Sequence, residues 1–194
     1  NGRLGAIAKN SIFMEEPVKE QDDETEPIDS ENVEQLYSDA YQAFLNADYE
    51  RAIASYQQYL KYQPQDSIAW SKLASAFLRA GQYEKATATV TTAIKKDPEK
   101  SGLYKQASII YDAGKNAAKA GEMAAKAIEM GKSDSVTLTL YGIARAQAGY
   151  VQEAVQILQK AVNHNPNNQK ARFHFALLLK EIGQADAARQ HLEE

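Results

Sequence analysis

Three histidines are the side chains of this sequence best suited to bind a metal ion or to move a proton near neutral pH. They are His164, His174 and His191, and their spacing matches neither the His-Glu-x-x-His motif nor another zinc-binding pattern. The sequence contains no cysteine, so no thiolate can complete a metal site or act as a nucleophile. We therefore predict no metal and no cofactor, and we place the histidines on the surface or in a groove.

Paired carboxylates and glycine-rich loops are the other features that could do chemistry. The pairs Glu15-Glu16 and Glu193-Glu194 stand in a tail and at a chain end, where nothing would desolvate them as acid and base catalysis requires. The glycines form neither G-x-x-x-x-G-K nor G-x-G-x-x-G, the two arrangements that hold phosphates. The sequence therefore predicts a protein that is not an enzyme and does not bind nucleotides.

Composition and charge narrow the class of protein further. The chain has 194 residues, of which 44% are hydrophobic and 25% charged, as in soluble globular proteins. No window approaches the roughly 18 consecutive apolar residues that span a bilayer, so we expect no membrane span. Residues 1–32 hold three basic and nine acidic side chains, net −6, and the remainder has a net charge of +2. Nucleic-acid binding usually needs a basic face, so the nearly neutral charge of residues 33–194 predicts no nucleic-acid partner.

The compartment stays open at this stage. Cytosolic and exported proteins can both lack cysteine, and a segment before Asn1 could carry a signal or an anchor. The sequence is therefore compatible with a cytoplasmic protein and with an exported or membrane-tethered one.

A repeat of 34 residues organises most of the chain. Alanines recur at this step, at Ala52, Ala86, Ala120, Ala154 and Ala188. Prolines share another phase, at Pro64, Pro98 and Pro166, with Lys132 at the remaining place. Glycines share a third phase, at Gly81, Gly149 and Gly183, with Ala47 and Lys115 at the two other places. A fixed period of this length is typical of stacked repeats.

Each repeat is predicted to be a helix, a turn and a second helix. Apolar residues follow one another at the three- and four-residue steps of a helix, as in Trp70, Leu73, Ala74 and Phe77. A residue before proline disfavours helical geometry, which predicts helix ends at Gln63, Asp97 and Asn165. We expect Asp66 and Ser101 to cap the helices that follow.

This pattern resembles the tetratricopeptide repeat, and the resemblance covers residues 33–194. The second unit carries the signature most fully, in Trp70, Leu73, Ala74, Phe77, Gly81, Tyr83, Ala86, Ala93 and Pro98. The resemblance implies an all-α, right-handed superhelical solenoid of about five 34-residue units, the last incomplete. The expected units are 33–66, 67–100, 101–134, 135–168 and 169–194. The third unit lacks the phased glycine and proline, so we expect altered turns there.

The resemblance also implies a function, which is to hold another protein or a peptide segment in a concave groove. In this family the first helix of each unit lines the groove. The positions carried over are Tyr37, Tyr41, Phe44, Lys72, Arg79, Lys105, Ile109, Thr139, Ile143, Phe173, His174 and Leu177. Their apolar anchors and the basic centre of Lys72, Arg79 and Lys105 suit an extended or helical segment with a few acids. Individually, such residues more often pack in a core.

One group of the family grips the C-terminal carboxylate of chaperones with lysines, asparagines and an arginine. Here Tyr37 and Tyr41 occupy the first two of those places, and Gly102 and Gln106 the last two. Only Lys72 is basic nearby, so the sequence disfavours binding of chaperone tails.

Residues 1–32 are predicted to be a flexible acidic tail with a short apolar arm, and the arm could dock in the groove of its own or a neighbouring molecule or be a disordered tail. Three other functions stay open. The chain could self-associate through the arm or the uncapped last repeat, assist assembly of a secretion, pilus or envelope system, or serve as the accessory domain of an enzyme.

Overall fold

A computed structural model describes residues 29–193 of the chain, with side chains through His191. This part consists of ten α-helices joined by short turns. In chain order they are α1 Ser30–Leu45, α2 Tyr49–Tyr62, α3 Ser67–Arg79, α4 Tyr83–Lys96, α5 Ser101–Ala113, α6 Ala117–Glu129, α7 Ser135–Gln147, α8 Val151–His164, α9 Gln169–Glu181 and α10 Ala185–Glu193. They form five helical hairpins, so the predicted all-α solenoid is confirmed.

The first hairpin begins earlier than the sequence predicted. Asp29 has extended backbone and Ser30 begins α1, so residues 30–32 belong to this helix and not to a tail. Most of the predicted acidic tail and the whole apolar arm lie outside the described residues. Within residues 29–193, no helix has the length and apolar character needed to cross a bilayer.

The alanines that recur every 34 residues are all buried. A small side chain at a helix contact lets two backbones approach each other, and larger side chains then fill the space around it. Tyr56, Phe77 and Leu158 are such buried fillers. Between α6 and α7 the approach is closer still, because Gly121 lies directly against Ala144. The repeat period therefore reflects the packing of hairpins on one another.

The predicted helix ends agree with the structure. The residues that end the helices before the prolines are Gln63, Asp97 and Asn165. Asp66 caps α3, because its carboxylate accepts hydrogen bonds from the backbone N–H groups of Ile68 and Ala69 at 2.8 and 3.0 Å. The predicted cap at Ser101 is wrong: Ser101 is already the first residue of α5, and Lys100 occupies the cap position without a side-chain bond.

The turn inside each hairpin is the same in all five units. Its phased residue has a positive φ, which glycine adopts without strain, and Gly81, Gly149 and Gly183 do so. Ala47 and Lys115 adopt the same conformation, with φ of 59° and 60°. The expected change in the third unit is therefore absent from its inner turn.

The turn that leaves the third unit is altered, as predicted. Here α6 ends at Glu129 and Gly131 follows with a φ of 84°. The backbone N–H of Lys132 then donates to the carbonyl of Ala127, which closes the helix end without proline.

The odd-numbered helices line the inner side of the array. Across successive hairpins α3 packs against α5, α5 against α7, and α7 against α9. Because these helices approach one another between repeats, their row forms the concave side of the curve. The first helix of each unit thus faces inward, which is where a groove can form.

Candidate functional site

A groove of about 760 Å³ opens on the inner side of the first three hairpins. Its lining residues are Phe44, Ser75, Leu78, Arg79, Tyr83, Gly102, Lys105, Gln106, Ile109 and Ala113. We call this the N-terminal groove. It brings together four residues that the sequence selected, namely Phe44, Arg79, Lys105 and Ile109.

A smaller pocket of about 230 Å³ lies between α7 and α9. Ile143, His174 and Leu177, all selected from the sequence, line it together with other residues of the same two helices and Leu158 of α8. We call this the C-terminal pocket. The twelve selected positions therefore do not all line one groove.

The aromatic residues of α1 do not all line the N-terminal groove, because Phe44 lines it and Tyr37 and Tyr41 do not. Tyr37 packs edge-on against Tyr56 and Tyr59, with ring centroids 5.7 and 5.2 Å apart. Tyr37 and Tyr59 also line a separate pocket of about 280 Å³ beside Asp66. Burial, and then a hydrogen bond from the Tyr59 hydroxyl to Asp66, raise the pKa of Tyr59 to about 12. Tyr37 is thus largely a packing residue of the first hairpin.

The predicted basic centre is smaller than expected. Lys105 donates to the carboxylate of Asp134, a pair that the sequence did not reveal. Burial alone would raise the pKa of Asp134, but hydrogen bonds from Lys105 and Thr137, with the charge of Lys105, lower it overall. Lys72 lies over the ring of Tyr41, 5.1 Å from its centroid. Among residues 29–191, Lys72 and Arg79 have no carboxylate partner.

Thr139 is the least exposed of the twelve selected residues. Its side chain is 2% exposed. Its hydroxyl donates to the backbone carbonyl of Ser135 at 2.6 Å and accepts from the Asn168 amide at 3.1 Å. These contacts make Thr139 a packing residue between the fourth and fifth hairpins.

Of the selected residues of α9, Phe173 and Leu177 are exposed and His174 is half-buried. The side chains of Phe173 and Leu177 are 55% and 52% exposed, and they stand one turn apart. Burial, and then the charge of Lys170, lower the pKa of His174, while Asp112 opposes this shift. These causes favour the uncharged form of the His174 imidazole.

Over the part of the chain that is described, no three residues of histidine, aspartate or glutamate converge as a metal site. His164 is exposed at the end of α8, and the ring of His191 packs on Phe175 with centroids 4.9 Å apart.

Comparison with known families decides the kind of protein. A tetratricopeptide-repeat profile matches residues 40–101 and 71–135, and a second tetratricopeptide-repeat profile matches residues 145–194. The chain belongs to the tetratricopeptide-repeat family. Proteins of this family bind other proteins or peptides, so the chain is a protein-interaction scaffold. No curated protein matches it in sequence.

Solved tetratricopeptide-repeat structures share the fold of this array. A crystal structure of MamA protein superposes with a TM-score of 0.73 at 16% identity, over 84% of this chain and 89% of that chain. MamA from Desulfovibrio magneticus RS-1, residue 41 to the end, gives 0.75 at 15% identity, over 83% and 91%. YrrB, described as a tetratricopeptide-repeat protein with an unusual peptide-binding site, gives 0.70 at 16% identity, over 84% and 88%. Identities this low show the fold alone.

Six of the ten residues that line the N-terminal groove are not among the twelve selected positions, and Leu78 and Tyr83 are the largest of these six. Leu78 lies in the wall of the N-terminal groove, and it stands one repeat after Phe44. That phase relation could have identified it. Tyr83 begins α4 and reaches the same groove from the second helix of its hairpin, which the focus on first helices excluded.

Proposed function

We propose that this tetratricopeptide-repeat protein is a non-catalytic scaffold that binds a segment of a partner protein in the N-terminal groove. The observation that carries the proposal is the composition of the groove. Phe44, Leu78 and Ile109 form an apolar wall, and the Arg79 guanidinium stands beside them without a carboxylate partner in the described part of the chain. This combination suits a segment with apolar residues and at least one acid.

The apolar wall supplies the affinity in this proposal. Burying one large apolar side chain of a partner contributes about 1.5–3 kcal/mol before the cost of ordering the segment. A carboxylate of the partner bound to Arg79 would fix the orientation of the segment, since an arginine can hold a carboxylate with two parallel hydrogen bonds. The YrrB description, a tetratricopeptide-repeat protein with a peptide-binding site, supports a peptide ligand for this fold.

A capture experiment with matched variants tests the proposal. The full chain is immobilised and exposed to lysate of the source cells, beside the variant Arg79→Glu/Ile109→Glu. The control, Lys95→Glu/Ala88→Glu, makes the same charge changes at exposed positions of α4. We expect partners to bind the native chain and the control but not the groove variant, with equal helicity in all three. Partners held equally by both variants would place binding elsewhere.

A second candidate is a self-associating building block, which the exposed pair Phe173 and Leu177 on α9 favours. Apolar residues one turn apart can pack against a helix of another copy. Sedimentation over a hundredfold range of concentration separates the two candidates. Self-association would be supported by a mass that rises with concentration for the native chain and stays at the monomer value for Phe173→Glu.

A further inference from the structure

The side-chain amide in the N-terminal groove is already used by the protein itself. Gln106 on α5 donates to the backbone carbonyl of Ser71 at 2.7 Å and to the hydroxyl of Ser75 at 2.8 Å. Its carbonyl oxygen accepts from the hydroxyl of Ser71 at 2.7 Å. Both N–H donors of the amide are therefore occupied by α3.

Among the described lining residues of this groove, few polar side-chain groups remain available to a ligand. They are the Arg79 guanidinium and the Tyr83 hydroxyl, since Lys105 is held by Asp134. An extended segment would bring several backbone N–H and C=O groups into the groove, and each needs a partner. A helix satisfies these groups internally. The groove therefore favours an occupant that binds as a helix.

The charges of the groove indicate where that occupant carries acids. Of the lysines on the inner helices, Lys105 and Lys170 are neutralised by Asp134 and Asp112. Arg79 and Lys72 keep their positive charge available. A fitting helix thus has an apolar stripe followed by one or two carboxylates.

A segment of this chain has that sequence. Residues 4–16 read LGAIAKNSIFMEE. At helical spacing Leu4, Ile7, Ala8 and Ile12 share one face, and the segment ends with the acids Glu15 and Glu16. We propose that residues 4–16, here called the N-terminal arm, occupy the N-terminal groove of the same chain as a helix, with Glu15 or Glu16 at Arg79.

The connection between the arm and the array is long enough for this. Phe44 lines the groove near the far end of α1, about 21 Å from Ser30 at 1.5 Å per residue. Residues 17–28 can span about 40 Å when extended. The covalent link also keeps the arm at an effective concentration on the order of millimolar, so a weak helix can compete with a partner.

This inference builds on the proposed function, because the arm would be a tethered competitor for the same groove. Its test does not need the partner. The chain contains no cysteine, so two cysteines can be introduced into the full chain alone. Gly102 is the first position, since a Cβ placed there meets nothing within 4 Å. Ser11 is the second, because serine to cysteine is a small change on the proposed inner face of the arm.

The measured quantity is the rate at which the disulfide forms under mild oxidant. In Ser11→Cys/Gly102→Cys we expect it to form within one chain, about tenfold faster than in the control Ser11→Cys/Ala88→Cys, and to be unaffected by dilution. Ala88 is exposed on the outer side of α4. Equal rates in the two variants would overturn the proposal. So would disulfides that link two chains and slow on dilution.

A charge exchange tests the orientation of the arm. Adding Arg79→Glu to the Gly102 pair should slow the disulfide severalfold, and adding Glu15→Arg/Glu16→Arg should restore the rate. The same changes should leave the Ala88 pair unaffected. An Arg79→Glu effect of equal size in both pairs would contradict the proposed contact. A failed test removes the arm from the groove and leaves capture of a partner, tested separately above, unaffected.

Discussion

Lys170 on α9 donates hydrogen bonds to both carboxylate oxygens of Asp112 on α5, at 2.7 and 2.6 Å. The two residues are 58 positions apart, and α7 lies between their helices. Asp112 adjoins Ala113 of the N-terminal groove, and Lys170 stands one turn before His174 of the C-terminal pocket. The pair therefore marks the boundary between the two concave regions.

Burial is the main cause that lowers the pKa of His174, and the two members of this pair add smaller effects in opposite directions. Lys170 lowers the pKa and Asp112 raises it. We expect Lys170→Gln to raise the pKa of His174 and Asp112→Asn to lower it further, as followed by NMR titration of the imidazole. Shifts of the same sign in both variants would show that a structural change, and not charge, moves the pKa. Because the pair is partly exposed, we expect each variant to lose less than about 1 kcal/mol of stability.

The stability of the fold should depend on the protonation of His174. Burial holds its folded pKa below the ordinary value of 6.5, so the unfolded chain takes up the proton first as the pH falls. Stability from this group is complete above pH 6.5 and declines as the pH falls through the folded pKa. We expect the free energy of unfolding in urea to fall over this range. His174→Gln should have a shallower slope, and an unchanged slope would contradict the assignment.

Two helical glycines should respond oppositely to a methyl group. A Cβ on Gly121 would overlap that of Ala144, so Gly121→Ala must push α6 and α7 apart. We expect a loss of about 1–3 kcal/mol. Gly102 has free space around its Cβ position, and Gly102→Ala should gain about 0.4–1 kcal/mol by restricting the unfolded chain. Urea unfolding of both variants checks this, and similar losses in the two would refute the packing argument.

The repeat period predicted the helices well, because each phased residue either ends a helix or lies at a contact between helices. Proline ends a helix at Asp97 whatever surrounds it, and a buried Ala86 reflects a contact that every hairpin makes. The roles of groove residues were harder to predict. Thr139 has the same repeat position as Lys105 and Phe173, yet Thr139 is buried because Asn168 reaches over it.

The number of unpaired positive charges in the groove also could not be predicted from the sequence. Whether Lys105 is free depends on Asp134, a residue 29 positions away at the end of an altered turn. Repeat phase gives the face on which a side chain lies, and partners from the next hairpin decide whether that side chain is available. Four selected positions therefore lie in the N-terminal groove, while others pack or line the C-terminal pocket.

The turn of the third hairpin should become more stable when its lysine is replaced by glycine. Lys115 has a φ of 60°, a conformation that costs a residue with a Cβ about 1 kcal/mol relative to glycine. We expect Lys115→Gly to raise the free energy of unfolding by about 0.5–1 kcal/mol. The control is Lys132→Gly, an exposed lysine without positive φ, which should show no gain. A gain of equal size in the control would point to lysine charge and not to backbone strain.

The last prediction concerns Gln106 as a link between α3 and α5. Its amide makes three hydrogen bonds to Ser71 and Ser75, so Gln106→Ala removes all three and leaves the half-buried Ser71 hydroxyl without its acceptor, while Ser75 still donates to the Ser71 carbonyl. We expect a loss of about 1–3 kcal/mol in urea unfolding. Gln147→Ala, at an exposed amide of α7, should change stability by less than about 0.5 kcal/mol. In a double-mutant cycle, Ser71→Ala and Gln106→Ala should couple by about 1 kcal/mol. Simple additivity would mean that the amide is free to bind a ligand backbone, which would also weaken the case for a helical occupant.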